Sequence, residues 1–527
     1  MYKKYVHLKE MIEESAVKFR DNIAFKVKKV DENKKVSYDE ITYKRLRDEV
    51  EYLSRAFIEK GLAGKRIAVI GKNSYEWVVV FLATVFAGGV IVPLDRGLLD
   101  FEIEDQIKRS GAVALFYGGE FKGRVDNYDI VKVCTEDTEF QDLLKLGKEA
   151  DNKSVYDAIE IKPHEMTVLL FTSGTTSASK AVMLSQANIT SNMNGMSLWE
   201  KFYETDVNMA LLPLHHTFGM MQMMLFLSIG MCNVFCEGLR IAKCLNEYGV
   251  TIFVGVPRVI EEMMLSVNRK LNAQNKVKTV HRAIKISNAL RKIGIDLRRK
   301  LFKQILDAMG GNIRLIIIGA APASPDVLKF FNDIGILSIQ GYGLTESSPV
   351  LTAESDKYMR KHSVGKAIPG VEVKIDSPDE DGRGEIIARG ENIMLGYYND
   401  EAQTADVIKD GWLYTGDVGT IDKDGYVFIN GRKKNVIVLS NGKNVFPEEI
   451  ETLINLSPAV KECMVYGEGD AILCKLVADE KYEGNAEEAI AQHMSEVNNQ
   501  LIQYKKVSSY KILETEMAKT TTGKIKR

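Results

Sequence analysis

The chain has 527 residues, of which 45% are hydrophobic and 27% charged, with a formal net charge of -2. That length exceeds a single compact core and predicts two to four domains or subdomains of a soluble globular protein. Nothing in the near-neutral balance points to nucleic acid, which favours a strongly basic domain.

The first stretch, MYKKYVHLKEMIEESAVKF, carries charges where a signal peptide needs an apolar centre. The run WVVVFLATVFAGGVIVPL, Trp77 to Leu94, is barely long enough to span a bilayer. Gly88-Gly89 interrupts it, so a core helix followed by a buried strand is the expectation. The run from Phe218 to Cys236 contains Gln222 and Asn233 and is read in the same way. Strands are predicted at RIAVIGKN, VALFYGG, TVLLFTSG, NMALLPL, TIFVGVP and IRLIIIGAAP. Amphipathic helical stretches alternate with them, which predicts an α/β fold with largely parallel sheets. Residues 268–303 hold twelve Lys/Arg and one acidic residue, Asp296. A solvated basic helix pair is one reading; a patch for CoA phosphates or for peripheral contact with an anionic membrane is the other.

After about residue 363 short strands with Gly-rich turns take over, as in GEIIARG, GYVFINGR and NVIVLSNGK. From Pro447 helices and strands alternate again. The charged GRKK at 431–434 follows a strand and precedes a stretch long enough to fold alone. The expected organisation is therefore a large N-terminal domain, 1–431, of parallel and mixed sheets flanked by helices with a β-rich subdomain, and a small mobile α+β domain, 432–527. Six cysteines, Cys134, Cys232, Cys236, Cys244, Cys463 and Cys474, form no CxxC pair. Cys232 and Cys236, in an apolar run with no nearby histidine, read as buried thiols, and so few cysteines in so long a chain fit a reducing, cytoplasmic compartment.

Four segments carry chemistry. Thr172-Ser173-Gly174-Thr175-Thr176-Ser177-Ala178-Ser179-Lys180 follows a strand and offers backbone N–H groups, hydroxyls and a cation to phosphate oxygens. It lacks the Gly-Lys-Ser/Thr ending of a Walker A loop. In Gln340-Gly341-Tyr342-Gly343-Leu344-Thr345-Glu346, glycines let the backbone approach a ligand and Tyr342 offers a stacking face. Thr345 can donate to an oxygen there, and Glu346 can hold Mg²⁺. Gly411 to Asp417 ends in a carboxylate able to accept from two vicinal ribose hydroxyls. In Lys519 to Arg527, Thr and Gly set Lys524 on a turn. Singly, each also reads as a connector, a Gly-rich turn, an Asp turn or a disordered basic tail.

Together, in this order, and with GAAP (319–322) and LPLHHTFG (212–219), the segments resemble the adenylate-forming superfamily over nearly the whole chain. NSYEWVVVFLATVFAGGVIVPLD, NGRKKNVIVLSNGKNVFPEEIE and TTTGKIKR look most like long-chain fatty acyl-CoA synthetases. The resemblance implies ligation of a carboxylic acid to coenzyme A, with ATP and Mg²⁺, through an acyl-adenylate. It places Thr172, Ser173, Gly174, Thr175, Thr176 and Lys180 on the β- and γ-phosphates. Gly319, Ala320, Ala321, Pro322 and Tyr342 would frame adenine, with Gly341 and Gly343 beside it. Thr345 would touch the α-phosphate, Glu346 the Mg²⁺, and Asp417 and Arg432 the ribose. Lys524 would bridge the acyl carboxylate and α-phosphate, with Lys434 as the hinge. His216 would gate an acyl pocket formed with His215, Phe218, Gly219 and Met220.

The chain departs from the family's phosphate loop at Ser177, Ser179 and Ala181, where Gly, Pro and Gly are usual. Gln186 replaces a common His, and Met517-Ala518 a Leu-Pro. Four methionines, Met220, Met221, Met223 and Met224, read either as a core helix or as the wall of an acyl tunnel. A medium- to long-chain fatty acid is the favoured substrate. A carrier-protein pantetheine in place of CoA, and a nucleotide- or acyl-binding protein without turnover, are the competing readings.

Overall fold

A computed structural model describes residues 3–30, 33–172, 179–236, 240–519 and 525–527. The chain forms two compact units. One comprises Met1–Thr172, Ser179–Glu372 and Arg389–Asp406; the other is built mainly from Val373–Ala388 and Val407–Arg527.

Two sheets organise the first unit. In the nine-stranded sheet the order begins with Lys366–Ala367, Val350–Ala353, Leu337–Gly343, Leu315–Ile318 and Ile252–Gly255. It continues through Val207–Ala210, Cys232–Phe235, Ile23–Val30 and Val36–Thr42. The middle strands are parallel and the outer pairs antiparallel. Leu315–Ile318 and Ile252–Gly255 are buried along their whole length, as parallel strands covered on both faces must be. The seven-stranded sheet runs Gly396–Tyr397, Lys180–Ser185, Met166–Thr172, Val90–Leu94, Arg66–Ile70, Ala114–Tyr117 and Val131–Cys134.

The run Trp77 to Leu94 folds as expected. Ser74 caps the helix Tyr75–Phe86, its hydroxyl accepting from Trp77 N at 3.1 Å. Gly88 turns the chain at φ 71°, and Val90–Leu94 enters the sheet. The helix is buried on every side, the pattern of a central helix. Among the described residues no helix is long and apolar enough to cross a membrane. The second apolar run likewise divides, into the helix Thr217–Ile229 and the strand Cys232–Phe235.

In the second unit, Trp412–Ile421 pairs with Gly384–Gly390, Ile408–Lys409 and Val427–Arg432 in a five-stranded sheet. GRKK follows as the end of Val427–Arg432 and a short turn, Lys433–Asn435. A three-stranded sheet of Val460–Glu468, Ala471–Ala478 and Val507–Leu513 then packs with the helices Pro447–Ile454 and Ala486–Gln500. Val465, Ile450, Leu476 and Ile490 are among its core, each fully enclosed. The α/β class read from the sequence holds.

Helix packing in the first unit explains one anomaly, a glycine inside the helix Thr138–Glu149. A Cβ on Gly147 would lie 1.7 Å from the Tyr52 carbonyl oxygen on the helix Tyr43–Glu59. Gly147→Ala must force the two helices apart and is expected to cost about 2–3 kcal/mol. A lower denaturant midpoint at unchanged slope checks this; an unchanged midpoint refutes it.

Candidate active site

The predicted site residues divide between the two units. In the larger unit, Ile318 pairs with Gln340 and Gly255 with Ile318 on adjacent parallel strands. Gly319–Pro322 therefore leave the sheet beside Gly341–Gly343, which continue their strand by pairing with Val350–Ala353 before Leu344–Glu346 turn away, at the end of the parallel strands where open α/β sheets bind ligands. Ala320 takes a left-handed backbone, φ 69°, a conformation non-glycine residues adopt sparingly and often at functional positions. Gly343 has no alternative: a Cβ there would lie 1.8 Å from Pro349 O.

Thr345 and Glu346 stand in a short 3₁₀ turn, Thr345–Ser347. Asn392 Nδ2 donates to Ser347 O at 2.8 Å, and Met394 N donates to Glu346 O at 2.9 Å, fixing that turn. The Glu346 carboxylate accepts from Tyr397 Oη at 2.9 Å. Lys180 Nζ lies 4.8 Å from the centroid of the same tyrosine ring. Tyr397 thus joins the two charged groups expected on the phosphates and the metal. Burial, and then the Glu346 charge, push its hydroxyl well above the usual range, so it remains a donor. The sequence reading missed Tyr397; the Gly396-Tyr397-Tyr398 run was the available signal.

Thr172 and Lys180 face each other across the hairpin Met166–Thr172/Lys180–Ser185. Ser173, Gly174, Thr175 and Thr176 lie outside the described residues, as does Ser177. The other departures have local explanations. Ser179 accepts from Arg109 at its hydroxyl, 3.0 Å, and at its carbonyl, 2.7 Å. Ala181 pairs with Phe171 in the regular ladder and needs no glycine conformation. Gln186 Oε1 accepts from Leu8 N at 2.9 Å, tying down the first helix.

Asn73 holds the LPLHHTFG loop, donating to Leu212 O at 2.8 Å and accepting from Leu214 N at 3.0 Å. Its histidines stand ahead of the helix Thr217–Ile229, with ring centroids 4.3 Å apart. His215 Nε2 lies 3.3 Å from Asp95 Oδ1. Asp95, His215 and His216 each offer one ligand atom, all within 4.8 Å of one another, the one such group among the described residues. Two imidazoles and one carboxylate suit a transition metal better than Mg²⁺, so this group does not replace Glu346 as the magnesium candidate. A Cβ on Gly219 would meet Pro213 O at 2.4 Å, and Met220 is fully buried. All four methionines are 2% exposed or less and belong to the core. Phe218 Cε1 would lie 2.6 Å from a Cβ on Gly319. Phe218 of the expected acyl pocket therefore stands beside Gly319 of the expected adenine frame.

In the second unit Asp417 and Arg432 are register partners, and Arg432 Nε lies 2.7 Å from Asp417 Oδ1. Gly416 N donates to Glu385 Oε1 at 3.0 Å, and the other oxygen of Glu385 pairs with Lys433 at 2.7 Å. Lys434 occupies the turn beyond. Lys524 lies outside the described residues, but its flanks are anchored. Lys519 bridges to Ile525 and pairs with Glu462 and Glu516. Arg527 Nη2 donates to Glu451 Oε1 at 2.5 Å.

Residues 12–398 match the family model described as AMP-binding enzyme, and residues 434–527 that of the AMP-binding enzyme C-terminal domain. The chain belongs to the AMP-binding enzyme family. This AMP-binding enzyme is 30% identical to the long-chain-fatty-acid--CoA ligase ACSBG2 of Gallus gallus, across 90% of this chain and 67% of that one. It is 28% identical to fatty acyl-CoA synthetase B of Dictyostelium discoideum, across 88% and 75%. Its fold is that of o-succinylbenzoate CoA synthetase (MenE) from Bacillus subtilis with the acyl-adenylate OSB-AMP: TM-score 0.77, 22% identity, 98% and 96% coverage. ATP-bound MatB from Rhodopseudomonas palustris gives 0.76, 23%, 98% and 97%. The resemblance read from the sequence stands.

Behind the Gln340 motif, this enzyme buries Glu354, 3% exposed. Its carboxyl accepts from Gln340 N and Arg360 N, both at 3.2 Å. Burial raises it from 4.5 to about 7 despite those donors. Between those values the folded chain keeps a proton that the unfolded chain releases. Stability therefore declines as pH rises through that window, by about 3 kcal/mol in all. Unfolding free energy measured from pH 5 to 8 is expected to show this slope, and Glu354→Gln to flatten it. An equal slope in the variant refutes the assignment.

Proposed function

We propose that this enzyme activates a medium- to long-chain fatty or similarly apolar carboxylic acid with ATP, releases pyrophosphate, and passes the acyl group from the adenylate to coenzyme A. The closeness of Phe218 to Gly319 carries the reading: a residue expected in the acyl pocket lies beside a residue expected at the nucleotide. The ligase names of the relatives support the acid and the acceptor.

A carboxylate is a poor electrophile, because its leaving group would be oxide or hydroxide; a mixed anhydride with AMP supplies a good one. The obstacle is charge, an anionic carboxylate attacking an anionic phosphate, so catalysis is neutralisation and positioning. Lys180 and the loop from Thr172 bind the β- and γ-phosphates. Gly319–Pro322 and Tyr342 frame adenine, with Gly341 and Gly343 letting the backbone come close. Asp417 and Arg432 bind the ribose, and Thr345 the α-phosphate. Glu346, a hard oxygen donor oriented by Tyr397, fits Mg²⁺, which when bound offsets phosphate charge. Lys524 bridges the attacking carboxylate and the α-phosphate. His216 gates the acyl pocket of His215, Phe218, Gly219 and Met220.

The lysine belongs to 432–527 and the phosphate loop to 1–431, so adenylation needs the two closed together. The thiol then needs Lys524 withdrawn. Lys434 is the hinge that absorbs that change. Six free cysteines fit a reducing compartment, the cytoplasm in this reading.

Acid-dependent ATP–pyrophosphate exchange over a panel of acids tests the reading. Exchange is expected with apolar acids and to fall ~10²–10⁴-fold in Lys524→Ala. No exchange with any acid refutes activation. Tyr397→Phe is expected to lower exchange about tenfold by freeing Glu346, with unfolding unchanged; full exchange denies it an orienting role. Product formed with CoA supports the acceptor, whereas product only with a holo-carrier protein overturns it.

A further inference from the structure

The basic segment between the strands Ile252–Gly255 and Leu315–Ile318 has a feature that its charge alone did not disclose. Ile286, Ile293, Ile295, Leu297 and Leu301 are 60%, 71%, 45%, 37% and 49% exposed. Single exposed aliphatic residues are ordinary, but a contiguous group on one element marks an interaction surface. Here Ile286 lies on the exposed side of the helix Val277–Arg291, Ile293, Ile295 and Leu297 in the segment after it, and Leu301 at the end of the short helix Arg298–Leu301. Ile293 and Ile295 flank Gly294, which turns the chain at φ 84°.

The inner side of this segment is packed and hydrogen-bonded. Ser287 is fully buried, and Val277, Val280, Ala283 and Ile284 pack on the core. Asn288 Nδ2 donates to Asp333 Oδ1 at 2.9 Å. Arg299 donates to Gly311 O and Ile313 O, each at 2.8 Å. Some cations are internally paired: Arg269 with Glu262, Arg298 with Asp296 and Lys303 with Asp307. Lys270, Lys278, Arg282, Lys285, Lys292 and Lys300 are exposed and have no ion pair among the described residues. On the helix, Lys278, Arg282 and Lys285 share the solvent side with Ile286, by the 3.6-residue period.

We propose that this helix–turn–helix is a docking surface for an anionic lipid bilayer. Its exposed isoleucines and leucines enter the headgroup boundary, and the unpaired lysines and arginines face the lipid phosphates. Charge complementarity selects this occupant. A second copy of the chain would bring like charges together. Single-stranded nucleic acid is held largely by stacking on aromatic rings. From 268 to 303 Phe302 is the one Phe, Tyr or Trp, and it is 3% exposed. Aliphatic tips between cations are the composition of an interfacial segment lying in the membrane plane. This docking stands independently of the ligase reading.

Co-sedimentation of the full chain with phosphatidylcholine vesicles, with and without phosphatidylserine, tests it. Binding is expected with phosphatidylserine vesicles, to be weak with neutral ones, and to decline as salt rises. The triple variant Lys278→Gln/Arg282→Gln/Lys285→Gln is expected to bind on the order of a hundredfold more weakly. Ile293→Ser/Ile295→Ser is expected to reduce binding with every charge intact. All substituted side chains are exposed, and equal thermal midpoints would verify folding. No sedimentation with anionic vesicles, equal sedimentation of the triple variant, or retention of nucleic acid without retention of vesicles overturns the proposal. Loss through charge but not through Ile293 and Ile295 overturns the insertion of the tip.

Discussion

The shared hold of Tyr397 on Glu346 and Lys180 is the contact around which the candidate site of the larger unit is arranged. A carboxylate and an ammonium placed together without a spacer would collapse into an ion pair and be less available to a ligand. The tyrosine ring keeps the cation over its face by cation–π attraction while its hydroxyl orients the anion. Several backbone features make that geometry possible. Tyr397 pairs with Val182 across the ladder. Asn392 and Met394 bind the turn carrying Glu346. Asn188 in turn donates to the carbonyls of Glu391 and Ile393, at 2.6 and 2.9 Å. Segments remote in sequence are thus fixed by ordinary amide hydrogen bonds, whose loss inside the protein costs more than their making contributes.

Two of the departures from the family's loop, Ser179 and Ala181, lie among the described residues and show what a different residue does there. Glycine is indispensable only where the backbone is left-handed or another chain segment comes too close. Gly343 meets the second condition against Pro349. Ala181 meets neither, being a ladder residue paired with Phe171. At Ser179 a hydroxyl and carbonyl hold the guanidinium of Arg109, an interaction a proline side chain cannot offer. These residues alter the surroundings of Lys180 without removing it.

In the second unit charge placement follows register. Asp417 and Arg432 are opposed because Trp412–Ile421 and Val427–Arg432 pair antiparallel across a bulge between Val418 and Gly419. A bulge shifts pairing by one residue and so redirects side chains. Glu385, on the neighbouring strand, accepts from Gly416 N and from Lys433, linking the expected ribose carboxylate to the segment expected to hinge. At the far end, ion pairs of Lys519 and Arg527 fasten described residues on either side of Lys524.

Much of this was legible in the residues themselves. Alternation of β-branched runs with amphipathic helices specifies an α/β fold, because those periods decide which faces are buried. Gly88-Gly89 divided the long apolar run into helix and strand. The motifs expected to hold phosphate, adenine and ribose stood out because each is a short contiguous string whose chemistry is local. The hairpin Ile23–Val30/Val36–Thr42 was not singled out: its lysines interrupt the apolar pattern, and burial is confined to one end. Tyr397, Arg109 and Asp95 were not singled out either. Their roles arise from contacts with residues far along the chain, and sequence spacing carries no record of distance across a sheet. The basic segment 268–303 was visible as charge, but which isoleucines face solvent was decided by which side of the helix found the core. Composition and period thus determined the elements and the chemistry available. Only the folded packing decided which of those groups meet, because burial and hydrogen bonding act through space.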